Sequence, residues 1–253
     1  MNEYTIPMAI VDFIPVILFA ITAVILQRDL YPKMGKGNYA LFASGTIMCV
    51  VAGIFKASWK LLYAAGICDF QRLTQSFMPM QSTGFFFAGL AAFAMMFTKA
   101  AKEQGRAVVT AEKFKPESEN EGERLNMTAL PLFLTPAVLL GSGQVPAYTS
   151  SMVFIIAMVF GLALLIVVLC IAAARLRKIH VLIFFIVAFV LLLSMGYMGS
   201  SAFEARMEGK IALKNWIEES INTAAQILLL LGVIGLHRGG FKELCMHIKA
   251  KKA

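Results

Sequence analysis

The chain has 253 residues, 59% of them hydrophobic and 15% charged, and its 23 Lys and Arg against 15 Asp and Glu give a formal net charge of +8. At a mean hydropathy of +0.75 too little polar surface exists to cover a water-exposed globule, which argues against a soluble fold and makes lipid the expected solvent. The basic residues lie in short segments beside apolar runs, where anionic headgroups attract them, so the charge points to membrane lipid as a partner and not to nucleic acid.

Runs of about 17–25 mostly apolar residues, enough to span a hydrocarbon core of about 30 Å, predict seven crossings, at residues 7–26, 39–67, 78–98, 127–146, 149–174, 179–200 and 216–236. Each is expected to be a helix. Lipid cannot satisfy free backbone N–H and C=O groups, and the period-2 alternation of a closed barrel is absent. The fold class is therefore all-α, a single transmembrane bundle over residues 1–253.

The chain opens with Glu3 and no basic residue before a long apolar run, which reads as a first crossing and not as a cleaved signal. Asp12 sits about one and a half turns inside it, between Pro7 and Pro15. An acid at that depth needs a cation or a proton, and Lys56 on the adjacent antiparallel helix is the expected partner.

On the second helix Gly45, Cys49 and Gly53 form a small-residue stripe with Ala52 beside it, which predicts close helix packing. The same sector continues to Lys56, Lys60 and Tyr63, with Trp59 at its edge, so both lysines are expected to face the interior. The competing arrangement is snorkelling at the interface with Trp59 and Tyr63 as belt residues. The third helix carries Gln75 and Ser82 on one face, a kink signal at Pro79, and the small residues Gly84, Ala88, Ala91 and Ala92. Such stripes pack helices within one chain or between two copies, so a homo-oligomer stays open.

Residues 99–126 are charged, contain Pro116 and alternate Glu117, Glu119, Glu121 and Glu123, which predicts a cytoplasmic linker. Three helices precede it and four follow. The arrangement is topologically similar to seven-helix transporters and opsin-like proteins, without a residue-level repeat, and a shared topology carries no function by itself. The fourth helix holds Pro131 and Pro136. On the sixth, Ser194, Tyr197, Ser201 and Glu204 share a sector, near Gly196 and Gly199. On the seventh, Glu218, Asn222 and Gln226 recur at i, i+4 and i+8, with Asn215 and Glu219 in the neighbouring sector. A glutamine that deep must find partners inside the bundle.

Basic residues orient the chain. Arg28, Lys33 and Lys36, six residues between positions 99 and 124, then Arg175, Arg177 and Lys178, and five from Arg238 onward make seventeen on one side. Only Lys56, Lys60, Arg72, Arg206, Lys210 and Lys214 fall on the other. Basic loops stay in the cytoplasm, so the N-terminus is expected outside and the C-terminus inside, in a prokaryotic plasma (inner) membrane.

Asp12, Lys56, Lys60, Tyr197, Glu218, Asn222 and Gln226 thus gather in the outer half, and the inner half has almost no comparable set. This predicts an outward-opening pocket for a small polar or ionic solute, a zwitterion or small organic ion suiting lysines and carboxylates together. A transporter is the first expectation, although it calls for polar groups continuing inward. A receptor or sensor is the second, and a membrane enzyme without a recognisable motif the third.

No catalytic, metal or cofactor signature is present. Cys49, Cys68, Cys170 and Cys245 lie at different depths, and His180, His237 and His247 sit at cytoplasmic ends, away from any buried haem or zinc. Ser142, between Gly141 and Gly143, has no histidine at its depth to act as base. Residues 224–236 hold no lysine for a retinal Schiff base. The pair Glu218 and Glu219 is similar to the paired glutamates of certain intramembrane proteases, but Thr223 stands where their arginine would be.

Overall fold

The computed structural model describes residues 5–97, 147–198, 201–207, 209–244 and 246, and every regular element among them is a helix. Five helices are long and apolar enough to cross a membrane, Ile6–Leu30, Lys36–Ala64, Val153–Arg175, Ile179–Met198 and Ala212–Arg238. They suggest a multi-pass membrane protein. The crossing expected at 127–146 and the linker at 99–126 lie outside the described residues.

The first span is two helices, α1 (Ile6–Val11) and α2 (Phe13–Leu30), broken at Asp12. Pro15 is the cause: it has no N–H to offer the Val11 carbonyl, and its ring crowds that carbonyl. After α3 (Lys36–Ala64) the same device recurs. A short α4 (Gln71–Gln75) and α5 (Phe77–Met95) are broken at Ser76, three residues before Pro79, so the expected kink is a full helix break. Gln81, Ser82, Thr83 and Gly84 lie near the start of α5, and Ser82 is fully buried. Next come α6 (Ala147–Arg175), α7 (Ile179–Met198), α8 (Ser201–Arg206) and α9 (Ile211–Arg238). Several helix limits differ from expectation: α2 runs on to Leu30, α3 starts at Lys36 and α5 ends at Met95. Ala64 ends α3, and Gly66 at φ 69° turns the chain away; α9 begins five residues before position 216.

Residue pairs fix the helix directions. Lys60 meets Asp12 and Gln27 meets Thr46, so α3 runs antiparallel to α2. Gly45 lies on Ala88 and Cys49 on Gln81, which makes α5 antiparallel to α3. Asp12 and Glu219 share Lys60 at one end, and Asp29 meets His237 at the other, so α2 and α9 run parallel in constant register. Phe185 against Gly232 and Val181 against Gly235 set α7 antiparallel to α9. A tight turn with Arg177 at φ 56° reverses α6 into α7. It follows that α5 and α6 point the same way, and Met95 and Ala147 lie at opposite ends of the bundle.

Glycines set the closest approaches. A Cβ on Gly89 would stand 1.9 Å from the Gly161 carbonyl oxygen, and one on Gly45 would stand 2.4 Å from that of Gly84. The α5–α6 and α3–α5 interfaces are therefore backbone to backbone, the packing that small-residue stripes allow in lipid. Around them Phe42, Met95, Leu169, Phe185 and Leu236 form a fully buried core.

The α2–α9 seam follows alternating steps of three and four. On α2 it runs Asp12, Pro15, Phe19, Thr22, Leu26 and Asp29, and on α9 Glu219, Asn222, Gln226, Leu229, Val233 and Leu236. All but Phe19 and Asn222 are buried, and those two line a cavity at one end of the seam. A heptad drifts only about 20° around a straight helix, so each row stays on one face for its whole length. Both rows are polar at the start and apolar in the middle, and the seam ends on the Asp29–His237 pair.

Candidate functional site

The cavity measures about 70 Å³ and lies where the first break meets the start of α9. From α2 come Pro15, Val16 and Phe19, with Asp12 at the break itself. Cys49, Val50, Gly53, Lys56 and Ala57 of α3 form one wall, and Phe77, Gln81 and Phe85 of α5 a second. The third is Glu219, Asn222 and Gln226 of α9.

Its charged centre is a three-residue bridge. The Lys60 ammonium donates to Asp12 Oδ2 and, at 2.9 Å, to Glu219 Oε1, and all three side chains are almost wholly buried. Lys56, one turn deeper on α3, takes no carboxylate among the described residues; its Nζ stands 4.5 Å from the centroid of the Phe77 ring. A cation over an aromatic face gains about 0.5–2 kcal/mol, which leaves most of its hydrogen-bonding capacity unused. Two buried acceptors on the cavity residues also lack partners, Asp12 Oδ1 and Gln226 Oε1. With two carboxylates and two ammonium groups, the cluster is formally neutral, the condition under which buried charge is tolerated.

Of the seven residues expected at the site, the structure brings Asp12, Lys56, Asn222 and Gln226 to the cavity wall, with Lys60 directly behind as the bridge. Two it does not bring there. Tyr197 is 50% exposed and accepts a hydrogen bond from Arg206 at 3.2 Å. Glu218 faces Lys214 at 3.8 Å, one turn back on its own helix. The partner expected for Asp12 also changes: Lys60, not Lys56, reaches it, because Gly53 sits against Val16 and the antiparallel register sets position 60 level with position 12.

Glu219 is the acid the i, i+4 row passes over. Two steps of four rotate position 218 well off the face of position 226, whereas the seven residues from 219 to 226 return to within about 20°. The signal was present in the apolar continuation at Leu229, Val233 and Leu236, which shares a three–four alternation with Glu219. Gln81 of α5 also lines the cavity, whereas Ser82 is buried without a hydrogen-bond partner for its Oγ and Ser194 bonds back to the Leu191 carbonyl. The side chains of Ser201 and Glu204 lie outside the described residues.

The opposite end of the bundle, where the sequence shows almost no comparable set, holds polar contacts of its own. Asp29, fully buried, accepts from His237 Nδ1 at 2.9 Å and 3.0 Å through its two oxygens. Gln27 donates to Thr46 at 2.7 Å nearby. Lys33 donates to the Leu244 carbonyl and lies over the Phe241 ring, and Lys178 donates to the Gly235 carbonyl at 3.1 Å. Asp29 and His237 lie far apart in sequence, so periodicity on either helix could not pair them.

Among the described residues no group of three or more His, Cys, Asp or Glu side chains is placed to hold a metal ion. No family model, curated protein or solved structure matches the chain.

Proposed function

We propose that the chain is a seven-crossing carrier of the plasma membrane that binds a small polar solute in a cavity open to the outside. The observation that carries this reading is the cavity with unmet polar valence: Lys56 without a carboxylate, and Asp12 Oδ1 and Gln226 Oε1 without donors. Burying unsatisfied polar groups is unfavourable by about 1–3 kcal/mol each, and a site that binds something recovers that loss when it is filled.

Two further features support transport over sensing. The first helix breaks beside the site, as carrier helices do where irregular backbone lines a cavity. A second polar station, Asp29 with His237, stands at the far end of the same seam, about 25 Å away at the ~1.5 Å rise per residue, with Leu26, Leu229 and Val233 closing the way between. A sensor would need only the outer cavity.

Seven crossings and an external N-terminus are part of the proposal. Met95 and Ala147 lie at opposite ends of the bundle, which supports a further crossing at 127–146. The distribution of basic residues supports the orientation. In a cysteine-free background, Phe97→Cys and Lys242→Cys should react with an impermeant maleimide only after permeabilisation. Ala147→Cys and the native Cys68 restored alone should react in intact cells. Labelling of positions 97 and 147 from the same side would overturn the seven-crossing arrangement.

The cavity is tested with Gln226→Cys in the same background and silver ion as the thiol probe. Reaction from outside supports the site. Reaction from both faces, in intact cells and in inside-out vesicles, supports a carrier, and reaction from outside alone a sensor. A thiol inert from both sides would remove the solute-binding reading.

A further inference from the structure

The geometry points to one class of ligand for this cavity: a small zwitterion, with its ammonium toward Asp12 and Gln226 and its acidic group on Lys56. This rests on the solute-binding reading and adds the ligand's charge, polarity and size.

The two lysines are not equivalent. Lys60 already bridges two carboxylates, so an incoming anion would have to displace Asp12 or Glu219 to reach it. Lys56 lines the cavity with only the Phe77 ring against it. One seat for an acidic group is therefore open, and it is Lys56. The unmet atoms on the other residues are both acceptors, one on a carboxylate and one on an amide; both are closed to solvent in the empty site, and a ligand donor meets them as those side chains turn into the cavity. An ammonium group supplies several donors and a charge that Asp12 and Glu219 favour.

Charge balance gives the second argument. Asp12, Glu219, Lys56 and Lys60 sum to zero, and the wall around them is mostly apolar, Val16, Phe19, Phe77 and Phe85 among it, with Gln81, Asn222 and Gln226 as amides. In such surroundings a bare anion or cation leaves one uncompensated buried charge, whereas a zwitterion leaves none. A neutral amide also leaves none, but it offers Lys56 only a dipole.

Volume gives the third. About 70 Å³ is several times the ~10–15 Å³ that one water needs on a probe measure, so the cavity has room for a ligand of a few heavy atoms, such as the smallest amino acids. Water alone could fill the space, and the experiment separates that case.

Thermal unfolding of the full-length, detergent-purified protein is measured with glycine and β-alanine as zwitterions, methylammonium and acetate as the two halves, and acetamide as the neutral control, all at equal concentration. At least one zwitterion should raise the melting temperature by several degrees while both halves and acetamide do not. Lys56→Gln should weaken that zwitterion about ten-fold or more, the loss expected for a charge-assisted hydrogen bond, and Gln226→Leu should weaken it measurably. Glu218→Gln, outside the cavity, should leave its affinity unchanged.

Equal stabilisation by acetate, methylammonium or acetamide would overturn the zwitterion assignment and leave the solute site standing. No shift with any probe, while the thiol of the Gln226→Cys variant reacts with silver ion, would also overturn it and assign the cavity to water or to another solute. No shift together with an unreactive thiol in that variant would remove both readings. If Lys56→Gln fails to fold, the Gln226→Leu titration decides alone: unchanged zwitterion affinity there overturns the assignment.

Discussion

Replacing Lys60 by methionine removes the one cation that holds two buried carboxylates together. Asp12 and Glu219, each about 5% exposed, would then face one another without a bridge. Breaking a buried ion pair by deleting one partner destabilises by about 3–5 kcal/mol, because the remaining charge is desolvated and uncompensated. For a chain of this size 1 kcal/mol moves the melting temperature by about 2–4 °C, so Lys60→Met should unfold about 6–20 °C below the wild type. Protonation of one acid limits the loss and makes the lower half of that range the better guide at neutral pH. Trp59 and Trp216 supply a fluorescence readout, Trp59 being on the same helix as Lys60 and Trp216 one turn before Glu219. The decisive comparison is the double variant with Asp12→Asn added. Since Glu219 and Lys56 then balance one another, the cluster carries no net charge and should recover most of the lost stability. A Lys60→Met protein that melts with the wild type, or a double variant no more stable than the single, would refute the electrostatic account of the bridge.

Gly89→Val drives a branched side chain into the Gly161 carbonyl, where even a Cβ would stand at 1.9 Å. It should cost about 1–3 kcal/mol or more as overpacking, read as a lowered melting temperature, and an unchanged value would mean α5 and α6 are not in backbone contact. At the other end of the seam, His237→Ala strands the buried Asp29 carboxylate. Because His237 is itself 39% exposed, water replaces it in part and the loss should stay at or below about 3 kcal/mol. Asp29→Asn, which removes the charge and not its partner, should be the milder of the two by thermal unfolding; the reverse order would show that Asp29 does not depend on His237. Pro15→Ala restores the N–H that Val11 lacks and should extend α2 back through Asp12. Helix content by circular dichroism should hold or rise while zwitterion stabilisation falls, and unaltered ligand response would separate the break from the site.

Much of this architecture is written in residue type. Apolar length marked the described spans to within a few residues, except at the start of α9, where Lys214, Asn215 and Glu218 hide the helix from a hydropathy count although three–four spacing continues through them. The break at Asp12 follows from Pro15, and the tight interfaces follow from Gly45, Gly84 and Gly89. What the chain does not spell out is how one helix slides along another. Lys56 and Lys60 lie on the same face, one turn apart, and only the contact of Gly53 with Val16 decides which of them reaches Asp12. Likewise Glu218 and Glu219 are neighbours that a four-residue rule and a seven-residue rule rank oppositely. The pairing of Asp29 with His237 combines both difficulties, since it requires knowing that the first and last helices touch and that they run parallel.

The seam between α2 and α9 has a consequence for how a carrier built this way would work. It is clasped at both ends and apolar between, so a solute moving from the cavity toward the far end must part Leu26 from the row of Leu229 and Val233 while one clasp holds. The clasps are unequal. The one at the cavity joins three buried groups, Lys60 of α3 among them, and opening it exposes two carboxylates and an ammonium together. The one at the far end is a single hydrogen-bonded pair whose histidine is already partly in water. If the zwitterion's ammonium competes with Lys60 for Asp12 and Glu219, occupation of the cavity loosens the strong clasp from within, and α3 loses its charge link to the seam. A solute would then lower the barrier to its own release while an empty site stays locked, which is the behaviour that distinguishes a carrier from an open pore.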